Sequence, residues 1–89
     1  MENQIQVRSE DRDLKTMYSN MVQIMTAKKE ILLTFLGVFP PAGSLLSRIV
    51  MSPAHAKRLL NVLQDNIDKY EKQYGSIEPA EEKKIGFKP

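Results

Sequence analysis

Few side chains in these 89 residues have chemical reach, and they are scattered along the chain. His55 is the only histidine, and it stands just after Ser52-Pro53-Ala54 at the start of a helical segment. A general base or a metal ligand at a helix mouth would use such a position. A site needs further groups, however, and the sequence offers no cysteine, second histidine or paired core carboxylate to complete one. His55 is therefore read as a first-turn residue with local hydrogen bonds. Asp65, Asp68 and Glu71 recur at helical spacing, as the carboxylates of a cation cluster would, but Lys69 and Lys72 interleave with them. They read as a solvated face. Glu81 and Glu82 lie beside Lys83 and Lys84 and read as solubilising charge. Ser19, Ser44 and Ser47 have no base arranged for them, and Gly37, Gly43, Gly75 and Gly86 are too dispersed to form a phosphate-cradling loop. The expectation is a protein that is not an enzyme, without catalytic, cofactor-binding or metal-binding residues and without a cofactor.

Two kinds of binding surface remain. Lys28, Lys29, Arg48, Lys57 and Arg58 form a modest basic set that would contact an anion. The overall balance is 13 Lys and Arg against 11 Asp and Glu, with the signs interspersed. A face that tracks phosphates usually carries a denser cluster of cations, so nucleic-acid binding is disfavoured and kept as the alternative. The second surface is apolar. Met21, Met25, Leu32, Leu36 and Val38, with Tyr70 and Tyr74, would suit an oligomer interface or a partner, since thioethers and aromatic rings adapt to varied shapes. Pro40-Pro41 reads as loop punctuation rather than as a proline-rich ligand.

The elements that must position these residues follow from periodicity. Residues 3–8, N-Q-I-Q-V-R, alternate apolar and polar positions and predict a short edge strand. Residues 9–13 form a polar connector, in which Ser9 would start a brief helical turn through Leu14. Residues 17–26 place Val22 and Ile24 on one face of a strand and Met21 and Met25 on the other. A polar turn at residues 27–30 leads into I-L-L-T-F-L-G-V-F at 31–39, too rich in large and β-branched residues for either face to meet water. Gly37 in this run predicts a bulge or a close backbone approach. Residues 40–44 predict a loop, and L-L-S-R-I-V-M at 45–51 the next strand. Ser52 then serves as an N-cap, with Pro53 at the first helical position. Ala56, Leu59, Leu60, Leu63, Ile67, Tyr70 and Tyr74 make one apolar stripe, and Gly75 stands where a left-handed residue ends the helix. Such a helix would be about 33 Å long.

The expected fold is α+β: a small antiparallel β-meander of three to four strands packed on one long C-terminal α-helix. Its organisation is an N-terminal edge strand and connector at 1–16, a single α+β domain at 17–75 and a flexible tail at 76–89. A chain this short buries a modest core. One helix covers one sheet face, whereas Leu32, Leu36 and Val38 alternate with Ile31, Leu33 and Phe35 and make both faces apolar. A second subunit is the simplest cover, so a homo-oligomer, a dimer first, is expected. The N-terminus is polar with no apolar run of signal-peptide type after it, and the most apolar stretch is far short of the roughly 20 residues a spanning helix needs. These features predict a cytoplasmic protein without a membrane partner.

One further pattern concerns order. Tyr18-Ser19-Asn20, a strand containing L-T-F, R-I-V-M-S-P-A-H-A-K-R-L-L at 48–60, N-I-D-K-Y-E at 66–71 and Tyr74-Gly75 follow one another. Across about residues 17–78 this succession resembles a family of short bacterial proteins defined as a domain of unknown function, and F-L-G-V-F-P-P resembles the variant in gut Bacteroides-type bacteria. The resemblance implies a bacterial cytoplasmic source and no recognised catalytic motif. In topology alone, strands followed by a long helix resemble the subunit of SecB-type export chaperones, which implies an oligomer able to hold extended segments. Together these readings predict a non-enzymatic oligomeric protein-binding scaffold, adaptor or chaperone-like module.

Overall fold

The computed structural model describes residues 4–7 and 15–80. It shows an α+β chain: three antiparallel strands, β1 (Met21–Thr26), β2 (Ile31–Phe39) and β3 (Ala42–Met51), followed by one helix, α1 (Pro53–Tyr74). The chain divides into a sheet unit ending at Pro53 and a helical unit beginning at Ala54.

The sheet is a meander with β2 in the centre. That placement agrees with composition, because β2, I-L-L-T-F-L-G-V-F, is the strand with the most continuous run of apolar residues. Leu33 and Leu36 are its buried hydrophobic side chains, on opposite faces, and Thr34 is as buried as Leu36, each 4% exposed. Opposite β2, Val22 pairs with Phe35, Ile24 with Leu33 and Met25 with Leu32 on β1. On the other side Ile49 pairs with Leu33, Arg48 with Thr34 and Val50 with Leu32. The ladder shifts between Phe35 and Leu36, where Ser47 and Leu45 are the partners. Leu46 is therefore the extra residue of a bulge on β3. The bulge is thus on β3 opposite Phe35 and Leu36, not at Gly37, which pairs regularly with Ser44.

Two expectations about strand limits need correction. Residues 40–44 do not form a loop: Pro40-Pro41, joined by a cis peptide bond, alone connect the strands, and Phe39 already pairs with Ala42. β3 thus begins three residues before Leu45, because pairing with Phe39, Val38 and Gly37 outweighs the weak strand preference of Ala42, Gly43 and Ser44. The edge strand predicted at 3–8 is absent from its described part, residues 4–7, where Ile5 and Val7 are 85% and 86% exposed. Alternation in a polar segment gives no strand without a neighbour to pair with. The helical turn predicted at residues 9–14 lies outside the described residues.

The first strand is also shorter than residues 17–26, but its leading segment is tied down. The Asn20 amide nitrogen of the main chain donates to the Leu36 carbonyl at 3.1 Å. The Asn20 side chain donates through Nδ2 to the Val38 carbonyl and accepts through Oδ1 from the Val38 amide. Tyr18 stacks on Phe39 with ring centroids 6.4 Å apart. The Tyr18 carbonyl passes over Gly37, where a Cβ would lie 3.4 Å from it. The close approach expected at Gly37 is therefore an ordinary van der Waals contact rather than one that glycine alone allows.

Helix α1 starts at Pro53, directly after Ser52, and runs to Tyr74. Gly75 adopts φ +102°, and its amide donates to the Glu71 carbonyl at 2.9 Å. Ile77 then donates its amide to the Glu71 carboxylate, so Glu71 holds both ends of the exit turn. None of the helix residues is buried. Among the described residues no helix is long and apolar enough to cross a membrane.

Candidate functional surface

The register sorts the sheet side chains into two faces. On one, which we call the aliphatic face, stand the rows Val22–Phe35–Ser47 and Ile24–Leu33–Ile49, followed by Thr26–Ile31–Met51. Leu46 joins this face at the bulge, its Cδ1 lying 3.6 Å from where a Cβ at Gly37 would sit. The opposite, methionine face holds Met21–Leu36–Leu45, Gln23–Thr34–Arg48 and Met25–Leu32–Val50, with Val38 beyond.

The structure therefore brings Met21, Met25, Leu32, Leu36 and Val38 onto one face, as the candidate surface requires. It also adds what alternation along one strand does not reveal: a polar row, Gln23–Thr34–Arg48, divides that apolar face across its middle. The three residues are far apart in sequence and meet only through the two ladders. Val22, Ile24 and Met25 on β1, and Leu45, Ile49 and Val50 on β3, are all exposed. Tyr70 and Tyr74 belong to the helical unit, where their rings lean on one another at 4.9 Å between centroids. Leu59, Leu60, Leu63 and Ile67 of the same stripe are exposed as well.

The basic set is less concentrated. Lys28 and Lys29 occupy the turn between β1 and β2, closed by the Ala27 amide donating to the Glu30 carbonyl at 2.8 Å. Arg48 lies opposite Thr34, three pairs in from the Ile31–Met51 end of the ladder, or about 10 Å along the strand. The sheet unit thus does not join Arg48 to the lysine turn. Lys57 and Arg58 are consecutive residues of the helical unit.

His55 lies in the first turn of α1. Asp65 and Asp68 follow well along the same helix, and the Asp68 carboxylate accepts from Gln64 Nε2 at 2.9 Å. Among the described residues, no three His, Asp or Glu side chains gather in a group that would hold a metal ion.

Residues 1–79 match the protein family described as Protein of unknown function (DUF3467), and the chain belongs to that family. No curated protein and no solved structure matches it.

Proposed function

We propose that this member of the family is a non-catalytic, self-associating protein-binding module, a scaffold or adaptor of the cytoplasm that assembles first as a homodimer. The observation that carries this reading is the two-sided apolar character of the sheet. β2 presents Ile31, Leu33 and Phe35 to one face and Leu32, Leu36 and Val38 to the other. A sheet that is apolar on both faces needs cover on both, and another polypeptide is a natural source of it. Flanking β2, Val22, Ile24 and Met25 on one side and Leu45, Ile49 and Val50 on the other are exposed, and exposed apolar surface of this kind marks interaction sites. Burying it contributes roughly 25 cal/mol for each Å² removed from water, against which the entropy of association counts.

The test has two arms. Light scattering behind size exclusion, at tens of micromolar, is expected to give a mass of two chains or more. A monodisperse monomer overturns self-association. Capture of tagged protein from a lysate of its source, with and without nuclease, is expected to retain a nuclease-resistant set of proteins. One dominant partner identifies an adaptor, and many unrelated chains identify a chaperone-like holder. Recovery of nucleic acid, with every co-purifying protein lost after nuclease, would replace this reading with contacts through Lys28, Lys29, Arg48, Lys57 and Arg58.

A further inference from the structure

We propose that the two copies join through the outer edge of β1, antiparallel and about a two-fold axis that sets Ile24 opposite its counterpart, making one continuous six-stranded sheet. This inference rests on the self-association proposed above and assigns it to the β1 edge; the continuous sheet leaves its apolar faces for a protein partner.

The Ala27 amide donates to Glu30 across the turn, which makes 27 and 30 a hydrogen-bonded pair. In an antiparallel ladder such pairs alternate with pairs whose backbone groups point outward. With Gln23 opposite Thr34 and Met25 opposite Leu32, the amides and carbonyls of Val22, Ile24 and Thr26 face away from β2. Among the described residues β1 is an edge strand, so these groups line an edge with no neighbouring strand among those residues. The segment M-V-Q-I-M-T carries no charge, proline or glycine, the devices that normally discourage edge pairing. The other edge differs. β3 carries the Leu46 bulge, Gly43 and Arg48, each of which hinders a flat second ladder.

A second copy fits the β1 edge in one register. With Ile24 opposite Ile24, Val22 meets Thr26 of the other copy and Thr26 meets Val22. Every outward amide and carbonyl of these three residues then finds a partner. A shift of two residues in either direction leaves one of the three facing Asn20 or Lys28 instead. Side chains agree with the backbone. Ile49, Leu33 and Ile24 form a row within each copy, and the two-fold joins them into a six-residue aliphatic row across the dimer. Charge selects the direction: antiparallel pairing separates the two Lys28-Lys29 turns by about 27 Å, whereas parallel pairing would set them side by side.

The chain has no cysteine, so single-cysteine variants report this geometry without background. In the full-length protein under mild oxidation, Ile24→Cys is expected to form covalent dimer at least about tenfold faster than Met25→Cys. Cα atoms at a directly opposed pair lie about 5.5 Å apart, whereas the two Met25 positions are offset to about 8 Å, beyond disulfide reach. Ile24→Lys, checked by circular dichroism for an unchanged fold, is expected to raise the dimer dissociation constant about tenfold or more by opposing two ammonium groups at the axis. Suppose instead that the native protein is a dimer but Ile24→Cys does not outpace Met25→Cys, or Ile24→Lys leaves dissociation unchanged. The β1 edge is then the wrong surface and the oligomeric reading survives. If the native protein is a monomer, both fall together.

Discussion

The Asn20 side chain fills both hydrogen-bonding positions of Val38, donating to its carbonyl at 2.8 Å and accepting from its amide at 2.7 Å. A side-chain amide thus takes the place of a backbone peptide and prolongs the contact between the β1 segment and β2 beyond the end of the strand. Ser19 adds to this, its hydroxyl lying 3.0 Å from both the Leu36 and the Met21 carbonyls, with one proton to give to either.

Asn20→Ala removes both bonds to Val38 at once. Each is worth about 0.5–1.5 kcal/mol net, and the site is exposed enough for water to replace part of the loss. The expected destabilisation is about 1–2 kcal/mol, read as a lower urea midpoint with an unchanged slope. Asn20→Asp separates the two roles, because a carboxylate still accepts from the Val38 amide but cannot donate to its carbonyl. It is expected to cost as much as the alanine variant or more. An unaltered midpoint in both variants would show that the latch contributes nothing to stability.

Gly37 gives a prediction of opposite sign. Its φ lies outside the left-handed region, and a Cβ would meet the Tyr18 carbonyl at 3.4 Å, Leu46 Cδ1 at 3.6 Å and Phe39 Cε2 at 3.7 Å, all ordinary contact distances. Alanine fits there and restricts the unfolded chain, so Gly37→Ala is expected to be neutral or to stabilise by up to about 1 kcal/mol. Valine has no such room, since its two methyl groups must press on the Tyr18 carbonyl or Leu46. Gly37→Val is expected to cost about 1–3 kcal/mol. Denaturant midpoints for the pair check both signs, and a destabilising alanine would mean that Tyr18 packs more tightly than these distances allow.

What the sequence discloses about this fold, and what it conceals, follows from the range over which each signal acts. Ser52-Pro53 and Gly75 mark the helix ends because caps are local chemistry, and α1 runs between them from Pro53 to Tyr74. The alternation in β2 is equally local and correctly makes both sheet faces apolar. Pairing is not local. Ala42-Gly43-Ser44 read as loop because no residue among them favours a strand, and they enter β3 only because Phe39, Val38 and Gly37 are there to pair with. The segment at 4–7 fails for the complementary reason: a good alternation has no described neighbour. Within the candidate surface, Met21 and Met25 fall with Leu36 and Leu32 by period alone. The Gln23–Thr34–Arg48 row and the outward groups of β1 require the register and the hydrogen-bond parity, neither of which a single strand encodes.

Gly75 tests the end of the helix. At φ +102° its backbone is open to glycine and strained for any residue with a Cβ, and no atom lies within 4 Å to add a steric contribution. Gly75→Ala therefore isolates backbone strain, with an expected cost of about 1–2 kcal/mol. The loss should be local. The Gly75 amide bond to the Glu71 carbonyl and the Ile77 amide bond to its carboxylate both depend on the turn. Faster amide exchange at position 75 and at Ile77, with the β2 amides unchanged, is the expected pattern; uniform acceleration through the chain would instead mean that the turn is coupled to global unfolding.

Salt and charge reversal separate the apolar reading from its electrostatic rival. Contacts to phosphate release counterions, so binding through Lys57 and Arg58 would weaken steeply between about 50 and 200 mM salt. Association through Val22 and Ile24 would not, because removal of apolar surface from water does not depend on counterions. The double variant Lys57→Glu, Arg58→Glu is accordingly expected to leave the dimer mass and the captured protein set unchanged, since both residues lie in the helical unit and neither belongs to the β1 edge. The measurement is light scattering and capture of the native and doubly reversed proteins at both salt concentrations. Loss of capture in the variant, together with a steep salt dependence in the native chain, would shift the binding surface from the sheet to the cations of the helix.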